Sequence, residues 1–403
     1  MNQEQTGGRP GGRSFPDLMT SMAQNVTSMQ SPSDFIILLE YSTTIHTPIR
    51  ILLEAGILHQ LARHPEPLSV TQLAAGIESV GKATTTDEAA AREEFLTRML
   101  RPAAALHLVD QVDVMLWQGN ELTRTLTEPG FDAGLKLMYD SIMGPASVNS
   151  KLVAWAKEHN YCAPTDSLDG PYQQAHDIAG TFTLDHWIQS NHGLASTQLS
   201  AMMKRIQRAR LHWTTWFDEA HLFRTLPPDP TEPFLVDVGG ALGHDLQALA
   251  AAHPTRDLRF VLQDLPPVIA AARREGSLVD PRIHLMAHDF FAPQPLRHAK
   301  IYYLHKIMHD WADAPAIRIL AHLRDAMAAD SRIFINDLIV PEVGAPLFVA
   351  ESDVAMLALC SARERSEAMW RRLVEAVGGL VVVGVWQAPG LRGEGIVEVM
   401  RGV

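Results

Sequence analysis

Cysteine is scarce in this sequence. Only Cys162 and Cys360 occur among 403 residues. They lie far apart and match neither a disulfide framework nor the spacing of a zinc site. A reducing, cytoplasmic location is therefore expected. The sequence also lacks an amino-terminal apolar segment of the secretory type and any apolar run long enough to span a bilayer. We therefore expect no membrane partner.

Positive charge is also in short supply. The formal net charge is −12, and residues 1–130 carry fifteen acidic side chains against nine basic ones. This region reads as short helices, among them one opened by a capping box at Ser69 and Gln72 and one over Glu88–Leu100, followed by a small hairpin. That pattern is typical of a winged helix, but the charge excludes a phosphate-binding footprint. We predict no nucleic-acid partner and expect a dimer interface instead.

Several catalytic motifs are missing. The dinucleotide fingerprint G-x-G-x-x-G fails from both Gly239 and Gly240, and no G-x-S-x-G of a serine hydrolase occurs. His305 and His309 have zinc-like spacing. However, Lys306 stands where H-E-x-x-H needs glutamate, and no third ligand is evident. No metal site is predicted.

The most informative stretch that is present runs from Phe234 to Ala250. An apolar run, Phe234–Val238, predicts a buried parallel strand, and a glycine-containing turn and helical spacing follow it. A second strand, Arg259–Asp264, ends in an acid, the position at which such folds hold a ribose diol. With the phosphate-binding half of the motif damaged and the ribose half intact, the pattern favours a nucleoside-type ligand without a pyrophosphate.

Strands and helices continue to alternate toward the carboxyl terminus, which predicts an α/β Rossmann-like sheet with helices on both faces. Ligands bind outside the carboxyl ends of such strands. Five regions should therefore meet in one crevice, and they are the residues at Gly239, Asp264, Asp289, His305–His309 and Asp337.

We divide the chain into four parts. They are a flexible tail and first helix at 1–32, a mostly helical winged-helix-like dimerisation domain at 33–130, a helical substrate-capping region and linker at 131–228, and a catalytic domain at 229–403. The capping region is rich in bulky residues, which pack a helical core or line a pocket for a flat apolar ligand. These residues are Met138, Met143, Trp155, Trp187, Met202, Met203, Trp213 and Trp216.

His309 is the candidate general base. It follows the fourth predicted strand, and an imidazole with an ordinary pKa near 6.5 can accept a proton at neutral pH. Two acids, Asp337 and Glu364, are candidates to fix its tautomer.

These motifs together resemble the class I S-adenosylmethionine-dependent O-methyltransferases of the plant caffeic-acid and fungal secondary-metabolite type. The matching segments are Val236–Gly243, Leu262–Pro266, His288–Phe291, Leu304–Trp311, Asn336–Pro341 and Arg363–Ser366.

The resemblance implies roles for single residues. Gly239 and Gly240 would lie against the methionine part of S-adenosyl-L-methionine, Asp264 would hold the ribose, and Leu265 would also contact the cofactor. The adenine would lie between Asp289 and Phe290. His305 stands where plant members carry a lysine near the cofactor. His309 would deprotonate a substrate hydroxyl, flanked by Asp337 and Glu364.

The resemblance also implies the activity and the partners. We expect a homodimer, formed through the amino-terminal helical domain, that methylates a hydroxyl of an aromatic or polyketide-like small molecule. The alternative is a cyclase, pericyclase or dehydratase that keeps S-adenosylmethionine as a fixed cation.

Overall fold

The computed structural model describes residues 45–77, 85–143, 147–189, 198, 201–202, 212–227, 229, 232–275, 280–389 and 393–402. They form two compact units. The first contains the described residues up to Asp140 and those within 194–205, and the second contains the others. The predicted tail at 1–32 and Met203 lie outside the described residues, and the four-part division remains a prediction.

The first unit is mainly helical. Its helices are α1 (His46–Glu54), α2 (Ile57–Arg63), α3 (Val70–Ala75), α4 (Thr86–Ala105), α5 (Glu121–Leu126) and the greater part of α6 (Pro129–Ile142). Its antiparallel sheet has the order β1-β3-β2, with β1 at Leu68–Ser69, β2 at Asp110–Asp113 and β3 at Leu116–Gln118.

Two features of this unit can be compared with the predictions from the sequence. The capping box before α3 is confirmed, since the Ser69 hydroxyl accepts from the Gln72 amide and the Gln72 side chain accepts from the Ser69 amide. The predicted end of α4 near Leu100 is wrong, because the helix continues through Pro102. Burial of the apolar face of α4 in the core of this unit offsets the hydrogen bond that proline cannot donate.

The second unit is an α/β domain. Its helices are α7 (Val148–Glu158), α8 (Pro171–His176), α9 (Thr183–Gln189), α10 (Glu219–Leu222), α11 (His244–Ala252), α12 (Pro266–Glu275), α13 (Asp313–Ala326), α14 (Leu347–Cys360) and α15 (Glu367–Val377). Its strands are β4 (Pro233–Val238), β5 (Arg259–Asp264), β6 (Ile283–Ala287), β7 (Ile301–His305), β8 (Arg332–Val340), β9 (Arg365–Ser366), β10 (Leu380–Gln387) and β11 (Glu394–Arg401).

The sheet places the predicted site at one edge. Its order is β10-β11-β8-β7-β4-β5-β6, with β9 beside β8. Strands β4 to β8 are parallel, so their carboxyl ends share an edge, while β10 and β11 run antiparallel. The Rossmann-like sheet predicted from the sequence is confirmed.

Apolar side chains cover both faces of this sheet. All six residues of β4 are buried, as expected for a parallel strand between two layers of helices. One face packs against α13 and α15, and the other packs against α10, α11 and α12. None of the helices in the described ranges has the length and apolarity needed to cross a membrane.

Candidate active site

The turn after β4 brings the chain close to two other strand ends. Gly239 has a φ of 76°, and a Cβ atom there would lie 2.6 Å from Cδ1 of Ile307. A side chain at Gly240 would overlap Asp237 and Leu262. Ala241 adopts a φ of 51°, a left-handed conformation that costs a residue with a Cβ about 1 to 2 kcal/mol. Only glycine therefore fits at the first two positions, and the backbone strain is at Ala241.

Asp264 faces this turn from the end of β5. Its Oδ2 accepts a hydrogen bond of 2.8 Å from the Ala241 amide, and its Oδ1 accepts one of 2.7 Å from the Leu265 amide. Burial raises the pKa of Asp264, although the two amides act against the rise. A carboxylate offers about four acceptor positions. Two therefore remain for the hydroxyls of a ribose.

Phe290 and Asp289 follow β6 and differ in placement. A Cβ atom at Gly239 would lie 3.6 Å from Cε1 of Phe290, so this ring lies beside the glycine turn. The Phe290 ring also lies edge-on to Trp311, with 6.1 Å between centroids. Asp289 is exposed, and its Oδ1 accepts from the Phe291 amide at 2.9 Å. The structure therefore brings Phe290 to the turn and commits one Asp289 oxygen to the local backbone.

His305, at the end of β7, lies in a chain of ionisable groups. Its Nδ1 is 2.7 Å from Oδ2 of Asp245, whose Oδ1 is 2.9 Å from Nε2 of His212. Asp245 is in the first turn of α11, directly after the glycine turn. Because a carboxylate only accepts hydrogen bonds, the Nδ1 of His305 carries a proton. His305 is thus tied to the helix that opens beside the candidate cofactor site.

His309 occupies a single turn of 3₁₀-helix, Met308–Asp310, after β7. Its Nδ1 lies 2.9 Å from Oε1 of Glu364, so Nδ1 donates to this carboxylate and Nε2 is left for another partner. The His309 side chain is 13% exposed, whereas that of Glu364 is fully buried. Two sequence candidates are therefore in direct contact, with the imidazole as the accessible member.

Glu364 is held on its other sides by α14. The Ser352 hydroxyl donates to Oε1 of Glu364 at 2.9 Å, and the Glu364 amide donates to Oδ1 of Asp353 at 2.9 Å. Burial alone would raise the pKa of Glu364, but the hydrogen bond and charge of His309 bring it below its ordinary value. Glu364 is therefore an ionised, fixed partner for the imidazole.

Asp337 and Asp310 complete the acidic surroundings of His309. Asp337 is 1% exposed, and neither of its oxygens has a hydrogen-bond partner within the described part of the chain. Burial raises its pKa to about 6, against the charges of His309 and Lys306. Asp310 Oδ1 is 3.6 Å from Nε2 of His309. Burial of His309 disfavours its charged form, yet the surrounding carboxylates outweigh this and raise its pKa to about 9.

Sequence reasoning did not foresee the part that several residues play around His309. Lys306, considered there only as a possible member of other motifs, has a φ of 56° and acts electrostatically on Asp337 and Glu364. Asp310 could have been found, since it directly follows His309. Ser352 and Asp353, by contrast, belong to a helix that the sequence analysis did not predict.

The structure gives a packing role to some of the bulky residues of the predicted capping region. Trp213 and Trp216 pack in or against the core on one face of the sheet, which is the structural role expected for most of the group. Elsewhere, the Tyr172 hydroxyl lies 2.9 Å from Nδ1 of His186, and Trp187 packs edge-on against Tyr172. A substrate-lining role for the tryptophans therefore stays a prediction. No cluster of three metal-ligating side chains occurs in the described ranges.

This chain is similar to known proteins over most of its length. Residues 230–379 match the O-methyltransferase domain. The O-methyltransferase asqD of Emericella nidulans is 28% identical over 386 residues, which are 94% of this chain and 93% of that protein. The structure of LepI in complex with SAM matches with a TM-score of 0.82 at 25% identity, over 96% of this chain and 94% of that one. A structure described as a pericyclic reaction enzyme matches with a TM-score of 0.80 at 26% identity, over 95% of this chain and 92% of that one. Residues 230–379 therefore form an O-methyltransferase domain, as the sequence motifs predict, and the chain resembles a fungal O-methyltransferase over 94% of its length.

Proposed function

We propose that this protein is an S-adenosyl-L-methionine-dependent O-methyltransferase that methylates a hydroxyl of an aromatic or polyketide-like small molecule. The observation that carries the proposal is the contact of His309 with Glu364 at the sheet edge where the glycine turn and Asp264 also lie. A candidate proton acceptor therefore lies at the same edge of the sheet as a candidate nucleoside-binding site.

The residues at the turn fit the cofactor. Gly239 and Gly240 admit no side chain, Asp264 keeps acceptor positions for a ribose, and Phe290 offers an aromatic face near the turn. The SAM complex of LepI supports this choice. When bound, the cofactor supplies an electrophilic methyl group on a sulfonium. The protein therefore has to position the acceptor oxygen and remove its proton.

His309 is proposed to accept that proton at Nε2. Glu364 holds Nδ1 as the donor, so the second nitrogen is the basic one. A phenol has a pKa near 10, close to the value of about 9 for His309, so proton transfer between them is nearly balanced. The proton-accepting form is the neutral imidazole, so we expect the rate to rise with pH toward that value.

The test uses S-adenosylmethionine with a labelled methyl group. The protein is incubated with this cofactor and a metabolite extract of the source organism, and cofactor binding is measured separately by calorimetry. Label should appear in a product together with an equal amount of S-adenosylhomocysteine. Absence of cofactor binding would refute the proposal.

A second candidate function is a cyclase, pericyclase or dehydratase reaction with the cofactor as a fixed cation. The similarity to a pericyclic reaction enzyme favours it, and so does the raised pKa of His309, which keeps this residue cationic at neutral pH. The same incubation separates the two functions. A product that forms only in the presence of S-adenosylmethionine, yet contains no label, identifies the second.

We also infer that the protein is a cytoplasmic homodimer. Both cysteines are free, as expected in a reducing compartment. The first unit exposes apolar side chains, among them Phe95 at 48% and Val114 at 75%, and apolar patches often mark association surfaces. Sedimentation equilibrium should give twice the chain mass, and the mass of a single chain would contradict the dimer.

A further inference from the structure

Arg365 follows Glu364 directly and is almost completely buried, with a side-chain exposure of 1%. Its Nη1 donates to the carbonyl oxygen of Met308 at 2.8 Å, and its Nη2 donates to that of Trp311 at 2.7 Å. Nη2 also donates to Oδ1 of Asp313 at 2.8 Å. The guanidinium therefore binds both ends of the segment that carries His309.

That segment holds itself together weakly. The backbone hydrogen bonds that close the turn are long, 3.2 Å from Asp310 to Ile307 and 3.3 Å from Trp311 to Met308. Lys306, three residues before His309, has the left-handed conformation that L-residues avoid. A short 3₁₀ turn with such bonds depends on outside contacts for a fixed geometry.

Glu364 and Arg365 supply those contacts from one place. Glu364 accepts from the His309 ring, and Arg365 donates to the backbone on either side of that ring. Strand β9 begins at Arg365 and pairs with β8 at Ile339, close to Asp337. The ring and its backbone are thus held by residues at the start of β9, which pairs with β8, the strand that carries Asp337.

We propose that Arg365 is the positioning residue for His309, fixing the Met308–Trp311 segment so that the imidazole stays in contact with Glu364. Arginine suits this task, because its planar fork can reach several acceptors at once. Lysine is a point charge on a flexible stem and cannot reproduce that arrangement. The kinetic part of the test rests on the methyltransferase activity proposed above.

Arg332 provides a matched control at the opposite end of β8. It is fully buried, donates to the carbonyl oxygens of His221 and Leu222, and lies near Glu398. Arg332→Lys therefore removes the same chemistry from an equally buried site that is remote from His309. If kcat falls only because a buried arginine has been replaced, it should fall equally in the two variants.

The kinetic test compares Arg365→Lys with Arg332→Lys. We expect kcat of Arg365→Lys to fall by about tenfold to a hundredfold, because small displacements of a catalytic group cost that much. Affinity for S-adenosylmethionine should be unchanged. The rising limb of its pH–rate profile should move to lower pH, since a loosened contact with Glu364 brings His309 nearer its ordinary pKa. Arg332→Lys should lose thermal stability only. An unchanged kcat and pH limb in Arg365→Lys would overturn the proposal.

A second measurement does not depend on turnover. The imidazole of His309 can be titrated by NMR in protein with labelled histidine, and its midpoint should fall in Arg365→Lys but not in Arg332→Lys. Neither variant replaces Asp310, Asp337 or Glu364, whose charges act on the ring, or Lys306, whose charge acts on Asp337 and Glu364. This shift is expected even if the protein does not transfer methyl groups, so the two proposals fail separately.

Asp313→Asn covers the case in which Arg365→Lys does not fold. Asp313 is 54% exposed and anchors the same guanidinium, so its replacement should be tolerated. It should move the His309 midpoint in the same direction by a smaller amount. If Arg365→Lys does not fold, a midpoint in Asp313→Asn identical to that of the wild type would refute the positioning role.

Discussion

Asp337 and Glu398 are two buried carboxylates on neighbouring strands, β8 and β11, and each is 1% exposed. They differ in their partners. Glu398 Oε2 lies 2.7 Å from Nε2 of His221, and its Oε1 accepts from Arg224 at 2.8 Å. Asp337 has no hydrogen-bond partner within the described residues.

The difference separates two uses of a buried charge. At the amino end of β8 the charges around Glu398 compensate one another, which is what stability requires. At the carboxyl end Asp337 accepts no hydrogen bond from the described residues, and the charges of His309 and Lys306 do not outweigh its burial. This costs stability and is tolerated where function needs it. The comparison therefore predicts opposite consequences of mutating Asp337 on β8 and Glu398 on β11.

The largest effect is expected at His309, near the carboxyl end of β8. His309→Gln removes the proposed base, and general-base catalysis contributes about a hundredfold to ten-thousandfold. We therefore expect kcat/KM to fall by about that factor, while calorimetry gives an unchanged affinity for S-adenosylmethionine. Retained turnover would show that His309 is not the base.

Thermal unfolding provides the control for this variant. The pKa of His309 in the folded protein, about 9, lies above its ordinary value of 6.5. Its contribution to stability is therefore fully present below pH 6.5 and is lost as the pH rises through 9. His309→Gln should be less stable than the wild type by about 3 kcal/mol at pH 6, and the difference should vanish near pH 10.

The next largest effect is expected at Glu398, whose charge is compensated by its neighbours. Glu398→Gln leaves the buried guanidinium of Arg332 without its carboxylate, and breaking a buried pair in this way costs about 3 to 5 kcal/mol. Denaturant titration should show this loss in the free energy of unfolding, with activity per folded molecule unchanged. Glu219→Gln is the control, because Glu219 is 59% exposed and pairs with Arg256 at the surface, where about 1 kcal/mol or less is expected. Equal losses in the two variants would contradict the comparison.

The sequence was most informative where buried strands end. Strand β5 has the bounds that the sequence predicts, Arg259–Asp264, and the parallel arrangement follows from alternating strands and helices. Because carboxyl ends of parallel strands share an edge, distant residues such as Asp264 and His309 could be assigned to one crevice.

Other parts of the site have no pattern in the sequence from which they could be predicted. Helix α14 is apolar around much of its circumference, so no helical periodicity reveals it. Its contacts to Glu364 were therefore missed. The partners of Arg365 include backbone carbonyls, which every residue possesses, and only the folded chain shows which of them are within reach. The sequence thus indicates which side chains could act, and the three-dimensional structure shows what holds them.

The smallest predicted effect tests Asp337 itself. Burial raises its pKa to about 6, above its ordinary value of 3.8. A raised pKa in an acid means that its ionised form destabilises the folded protein. This cost is absent below pH 3.8, develops between pH 3.8 and 6, and is complete above that range. Asp337→Asn should therefore stabilise the protein by about 1 to 3 kcal/mol at pH 7.5 and by roughly half as much at pH 5. Thermal unfolding at the two pH values measures the difference. A variant less stable than the wild type at pH 7.5 would mean that Asp337 is compensated after all, and the contrast with Glu398 would be lost.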